Sequence, residues 1–139
     1  MAPSFAACKL SGAKVFGQLN GVSFAGADLR GASLAPFSET GFIEHIWRTE
    51  LISADFAGAD LEAADLTHIL ARFADFRGAK LKGALLKNAD LSHADLTGAD
   101  LTGADLSGAD LDSAILKDVK GLDSVAGMST VRNHAKAIE

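Results

Sequence analysis

Large apolar residues return at every fifth position through the second half of the chain: Phe56, Leu61 and Leu66, then Phe76, Leu81, Leu86, Leu91, Leu96, Leu101, Leu106, Leu111 and Leu116. The gap at position 71 holds Ala71, and Ala stands two residues before each member of the series from Ala54 to Ala114, except at Ile69. A period of five fits neither the 3.6 of a helix nor the 2 of a strand. A short repeat sustained this long marks a solenoid, whose units bury apolar residues only by stacking on one another. The two apolar columns therefore point inward. The other three positions carry Asp, Lys, Arg, Ser, Thr, Gly, His and Asn, and face water. Unit 69–73 exchanges the sizes, with Ile69 at the small site and Ala71 at the large one, which roughly conserves core volume.

The last position of the unit is Gly at Gly58, Gly78, Gly83, Gly98, Gly103 and Gly108 and Asn at Asn88, residues that accept the positive φ of a type II turn. Ala63 and Phe73 stand at the same position and predict a different turn there. Tandem Ala-Asp-Leu-x-x units of this kind resemble the pentapeptide repeat family. The resemblance implies an all-β solenoid, a right-handed quadrilateral β-helix in which each pentapeptide forms one side of a square and about 20 residues form a coil. Position n then stacks on n+20, which puts Phe56, Phe76, Leu96 and Leu116 in one column with Asp55, Asp75 and Asp95 outside it.

A single domain is expected, in four stretches: irregular N-terminal coils over 3–36, an inserted segment over 37–53, regular repeats over 54–118 and a C-terminal cap over 119–139. In the insertion, Phe42, Ile43, Ile46, Trp47 and Leu51 recur at helical spacing after Thr40, predicting a short amphipathic helix from about Gly41 to Glu50. In the tail, Val125, Met128, Val131, Ala135 and Ile138 predict a second helix, laid across the last coil near Leu111 and Leu116. Such a cap covers apolar side chains and backbone groups that an open solenoid end exposes, and it offers a surface for homodimer formation.

Charge and chemistry narrow the function classes. The net charge of −5 is mild, but residues 89–113 carry Asp90, Asp95, Asp100, Asp105, Asp110 and Asp112 with no Lys or Arg. A basic band of Arg72, Arg77, Lys80, Lys82 and Lys87 precedes them. The histidines are scattered and the single cysteine, Cys8, has no partner for a CxxC, so neither a metal nor a cofactor is expected. The aspartates recur every five residues and serve the repeat, whereas catalytic carboxylates are singular features of a cleft. The chain reads as a non-enzymatic structural or protein-interaction module, with no nucleic-acid or membrane partner. No run of about 18 apolar residues occurs and the first residues lack a secretory pattern, which with one cysteine predicts a cytoplasmic protein.

Candidate partner-binding residues are Phe42, Ile46 and Trp47 of the insertion, Arg72 and Arg77 of the basic band, and Asp95, Asp100 and Asp105 of the acidic stretch. The alternative that the resemblance implies is a mimic of duplex DNA that binds DNA gyrase or a topoisomerase and protects it from inhibitors. Roughly 95 repeat residues make about 4.75 coils, or about 23 Å of rod, enough to imitate only about 7 base pairs.

Overall fold

The computed structural model describes residues 3–36 and 48–138. The chain winds into coils joined by parallel bridges of one residue, four to a coil. Side 1 carries Ser4, Ser23, Asp55, Asp75, Asp95, Ile115 and Ile138, and side 2 carries Lys9, Asp28, Asp60, Lys80, Asp100 and Lys120. Side 3 carries Lys14, Ser33, Asp65, Leu85, Asp105 and Ala126, and side 4 carries Gln18, Glu50, Leu70, Asp90, Asp110 and Arg132. These six coils make a rod of about 29 Å at ~4.8 Å each, longer than the repeats legible in the sequence.

One five-residue unit shows why the repeat has this composition. In 59–63, the N–H of Leu61 donates to the C=O of Lys80 and that of Ala63 to Lys82, one coil on. The N–H of Asp60 donates to Ala27, one coil back, and that of Ala59 to Phe56, closing the preceding corner. The remaining donor, the N–H of Glu62, points at the Asp60 carboxylate, 3.2 Å away. The same Asx contact recurs at Asp55, Asp65, Asp95, Asp100, Asp105 and Asp110. Asp is thus the residue that satisfies the one backbone donor the ladder leaves over.

Both inward columns are buried from Val22 to Leu116, and Ile69 and Ala71 are both fully buried, as the size exchange requires. The aromatic column is longer than the n+20 rule predicts. Phe5, Phe24, Phe56 and Phe76 stack in series, with ring centroids 5.4, 5.1 and 5.0 Å apart. Its upper members escaped the rule because bridge partners lie 19 residues apart in the first coil and 32 apart across the insertion.

Three expectations need correction. The corners at Ala63 and Phe73 are not of another type: their φ values are 58° and 59°, and their N–H groups keep the ladder. The pull of the neighbouring coils overrides a local penalty of about 1–2 kcal/mol at each. The insertion is shorter than 37–53, because Thr49-Glu50-Leu51-Ile52-Ser53 is a regular unit with Leu51 buried. Thr49 and Glu50 therefore lie in the coil, not in a helix, and residues 41–47 of the predicted insertion helix, with Phe42, Ile46 and Trp47, lie outside the described residues.

The third correction is the C-terminal helix. The tail does cover Leu111 and Leu116, whose N–H groups donate to Arg132 and Ile138, but it does so as a continuation of the coil. Its bridging residues Lys120, Ala126, Arg132 and Ile138 are six apart. Between them lie short 3₁₀ turns, Leu122–Ser124, Met128–Thr130 and His134–Lys136, each preceded by a left-handed residue: Gly121, Gly127 and Asn133. Val125, Met128 and Val131, read as a helical stripe, are instead the half-buried inward residues of these six-residue sides.

Candidate interaction surface

The predicted charged residues do not converge. Asp95, Asp100 and Asp105 occupy three different sides, and Asp110 the fourth, because a step of five residues is a quarter turn. Each turns one carboxylate oxygen to its own corner: Asp95 accepts from the Thr97 N–H and hydroxyl at 2.9 and 2.6 Å, Asp100 from Thr102 at 3.0 and 2.6 Å, and Asp105 from Ser107 at 2.9 and 2.6 Å. These hydroxyl and backbone hydrogen bonds hold the carboxyls of Asp100 and Asp105 below the usual range.

The basic band runs as a ring around the coil above, and its members reach the acidic ring. Arg72 Nε lies 2.7 Å from Asp90 Oδ2, and Lys87 Nζ lies 3.6 Å from Asp105 Oδ2. Burial pushes the Asp90 carboxyl up, but hydrogen bonds from Ser92 and Arg72 outweigh it and leave the group lowered. Arg77 turns back to its own unit and clasps Asp75 through Nε and Nη2 at 3.0 and 2.7 Å, the bidentate geometry that suits a guanidinium. Arg30 clasps Asp28 the same way and holds its pKa at about 2.

One surface feature was not singled out from the sequence. Phe73, at a corner otherwise suited to Gly, is 59% exposed, and its ring stacks on His93 at 4.7 Å and 8°. The pair stands between sides 4 and 1, beside the Arg72–Asp90 ion pair. The available signal was an aromatic residue at a position requiring positive φ, where its side chain can only project outward. Below the surface, Thr49 occupies a small inward site with its hydroxyl unpartnered, and His68 Nδ1 is likewise buried without a hydrogen bond. Among the described residues no group of His, Cys, Asp and Glu could hold a metal ion, and no helix is long and apolar enough to cross a membrane.

The family model for pentapeptide repeats matches residues 49–88 and 79–118, an unbroken stretch that is half of the chain. The chain belongs to the pentapeptide repeat family. It overlays a pentapeptide repeat protein from the thylakoid lumen of Arabidopsis thaliana with TM-score 0.68, at 31% identity over 79% of this chain and 69% of that one. A pentapeptide repeat protein of the cyanobacterium Cyanothece 51142 matches at 22% identity over 87% and 90% of the two chains, with TM-score 0.45. A trypsin-treated form of QnrB1, a plasmid-mediated fluoroquinolone resistance protein, matches at 18% identity over 95% and 89%, with TM-score 0.32. An overlay that loose says nothing about what the present pentapeptide repeat protein binds. No curated protein matches the chain.

Proposed function

We propose that this pentapeptide repeat protein is a non-enzymatic interaction module, a right-handed quadrilateral β-helix whose partner is another protein. The observation that carries this reading is the Phe73–His93 stack. A large aromatic ring is held mostly in water at a corner, stacked on His93 and outside the core that stabilises the rod. Phe and Arg are both enriched in protein interfaces relative to the rest of the surface, and Arg72 stands beside the stack. A cytoplasmic location belongs to the same proposal and rests on the single free cysteine, Cys8.

Mimicry of duplex DNA has less support. A mimic needs two parallel rows of unpaired anions, whereas here the acidic residues spiral over four sides and two of them are paired with the basic ring. The test is affinity purification from the source cell with the native chain and with Phe73→Ser as bait, followed by a supercoiling assay with purified gyrase. The proposal expects a protein retained by the native chain and released by Phe73→Ser, with no effect on supercoiling. Protection of gyrase from a fluoroquinolone would overturn it in favour of the mimic.

A further inference from the structure

At the corner between sides 4 and 1, residues of successive coils lie one over another. Gly21, Ser53, Phe73 and His93 stand there with left-handed backbones, at φ 73°, 59°, 59° and 59°, so each projects along the same outward diagonal. The N–H of Gly21 donates to the C=O of Ile52, that of Ser53 to Arg72 and that of Phe73 to Ser92, which fixes their order one coil at a time. Two of the four are rings, and they stack at 4.7 Å. His93 therefore covers one face of Phe73. The other face looks along the rod toward Ser53 and Gly21, both exposed and neither large enough to cover a ring. The corner thus offers a bare aromatic face with two coils of open height, about 10 Å, above it.

Charge decides what suits that face. The segments beside the open height, residues 18–27 and 49–58, contain Glu50 and Asp55 and no Lys or Arg. Glu50 lies on side 4 just before the corner and Asp55 on side 1 just after it, so the two carboxylates flank Ser53. Asp55 turns Oδ1 to the Ala57 N–H at 2.9 Å, and Glu50 turns Oε2 to Asn20 Nδ2 at 3.0 Å, which leaves each a second oxygen for an incoming donor. The neighbouring guanidiniums are turned elsewhere: Arg72 to Asp90, on the coil that carries His93, Arg77 to Asp75, and Arg48 toward the Asn88 C=O. An incoming anion would meet two carboxylates, and a neutral ring would gain the stack without the charge. A guanidinium gains both, because it is planar, lies flat on an aromatic face and keeps donors at its edge for carboxylates. An ammonium gains the charge but has no plane to stack.

We propose that Phe73, Ser53, Asp55 and Glu50 form a shelf for an arginine side chain of a protein partner, its guanidinium laid on Phe73 in continuation of the His93 stack. This rests on the reading of the Phe73 corner as an interaction surface and names the chemistry that the surface takes. A single cation on one exposed ring is a weak contact. The shelf therefore selects which residue of a partner docks there and does not hold the partner alone.

Titration of the full chain with N-acetyl-arginine methylamide, followed by nuclear magnetic resonance, reads the shelf directly. The ring protons of Phe73 and His93 should shift saturably at about 10–100 mM probe, the range of one exposed contact. The lysine counterpart should bind about threefold or more weakly. Glu50→Gln with Asp55→Asn keeps the acceptors for Asn20 and Ala57 and should weaken arginine binding several-fold at low salt, a difference that salt removes. Ser53→Arg supplies the occupant from the chain itself, so it should abolish probe binding and release the captured protein as Phe73→Ser does. Equal binding of arginine and lysine overturns the proposal, since it would mean diffuse attraction to an acidic surface. So does binding of N-acetyl-tyrosine methylamide as tight as that of arginine, or the absence of saturable ring shifts. The expected shifts with no protein captured would support the shelf and sink the interaction module. A protein released by Phe73→Ser but kept by Ser53→Arg would sink the shelf alone. Should Ser53→Arg fail to fold, Phe73→Leu, which keeps apolar volume without a ring, decides between the same outcomes.

Discussion

The fifth coil, residues 95–114, and the sixth, residues 115–138, perform the same task with different units. The fifth has five-residue sides, left-handed corners and buried Leu96, Leu101, Leu106 and Leu111. The sixth changes after its first side to six residues, and at the first two of its longer corners an additional residue carries the backbone carbonyl away from the fifth coil, whereas at the third the N–H of Ser113 still reaches the C=O of Lys136. A side chain takes its place. The N–H of Gly103 donates to Ser124 Oγ at 3.0 Å and that of Gly108 to Thr130 Oγ1 at 3.1 Å. Those hydroxyls in turn donate to Gly121 and Gly127 within their own turns. A ladder thus tolerates a change of period provided that the bridging residue stays in register and a hydroxyl replaces the lost acceptor. The left-handed Gly121 and Gly127 are obligatory here, since a Cβ on either would fall well inside contact distance of Thr102 or Ser107.

The comparison breaks most severely in the core. Leu101→Asp in the fifth coil puts a carboxylate with no partner at a site that is 1% exposed, and should abolish cooperative unfolding by circular dichroism. Val125→Asp in the sixth coil, where the side chain is half-buried, should cost about 1–2 kcal/mol and leave the rod folded. Equal damage at the two sites would show that the sixth coil is as tightly closed as the fifth.

Next come the hydroxyls. Ser124→Ala and Thr130→Ala each leave a ladder donor of the fifth coil unsatisfied and should cost about 1–2 kcal/mol in urea denaturation, with faster exchange at Gly103 and Gly108 respectively. Ser107→Ala, which removes only a hydroxyl bond to the Asp105 carboxylate, should cost less. Corner strain makes a third and opposite change. Ala63→Gly relieves a left-handed alanine and should raise stability by about 1 kcal/mol in the melting temperature analysis.

Acid separates the two coils further. The carboxyls of Asp28, Asp75, Asp90, Asp100 and Asp105 are lowered in the folded protein, so each contributes stability present above the unfolded carboxyl value of 3.8 and lost as the pH falls through the folded one. For Asp28 the loss runs from 3.8 down to about 2. Amides of the fourth and fifth coils should lose exchange protection as the pH falls below 3.8, before those of the 3₁₀ corners, which depend on hydroxyls. The smallest effect belongs to Asp100→Asn, whose amide oxygen can still accept from Thr102, and a change within about 0.5 kcal/mol is expected. A large loss there would mean that the carboxylate's charge, not its acceptor, holds the corner.

The columns from Ala54 to Leu116 were readable residue by residue, because burial on two faces of a five-residue unit leaves no freedom in which positions are apolar. The 32-residue step from Gln18 to Glu50 was not readable, since no local signal says which residues an insertion removes from the register. The tail was misread for a different reason. Val125, Met128 and Val131 fit a helical stripe and a six-residue side equally well, and the left-handed glycines before each turn decide between them only once a coil lies underneath. The Phe73 surface was missed because Phe at a corner looks like a break in the pattern until its ring is seen on His93.

By itself the sequence determined the solenoid, its inward columns and the identity of the corners with Gly, because period and composition are local properties repeated until their meaning is unambiguous. Only the tertiary structure decided that alanine and phenylalanine corners obey the same turn, that Asp satisfies the spare donor of each unit, and that the rod ends in six-residue sides. Each of these depends on a hydrogen bond to a neighbouring coil or on a fold of the chain back upon its own unit. The partner groups become visible only when residues 18 to 33 apart are brought one above the other.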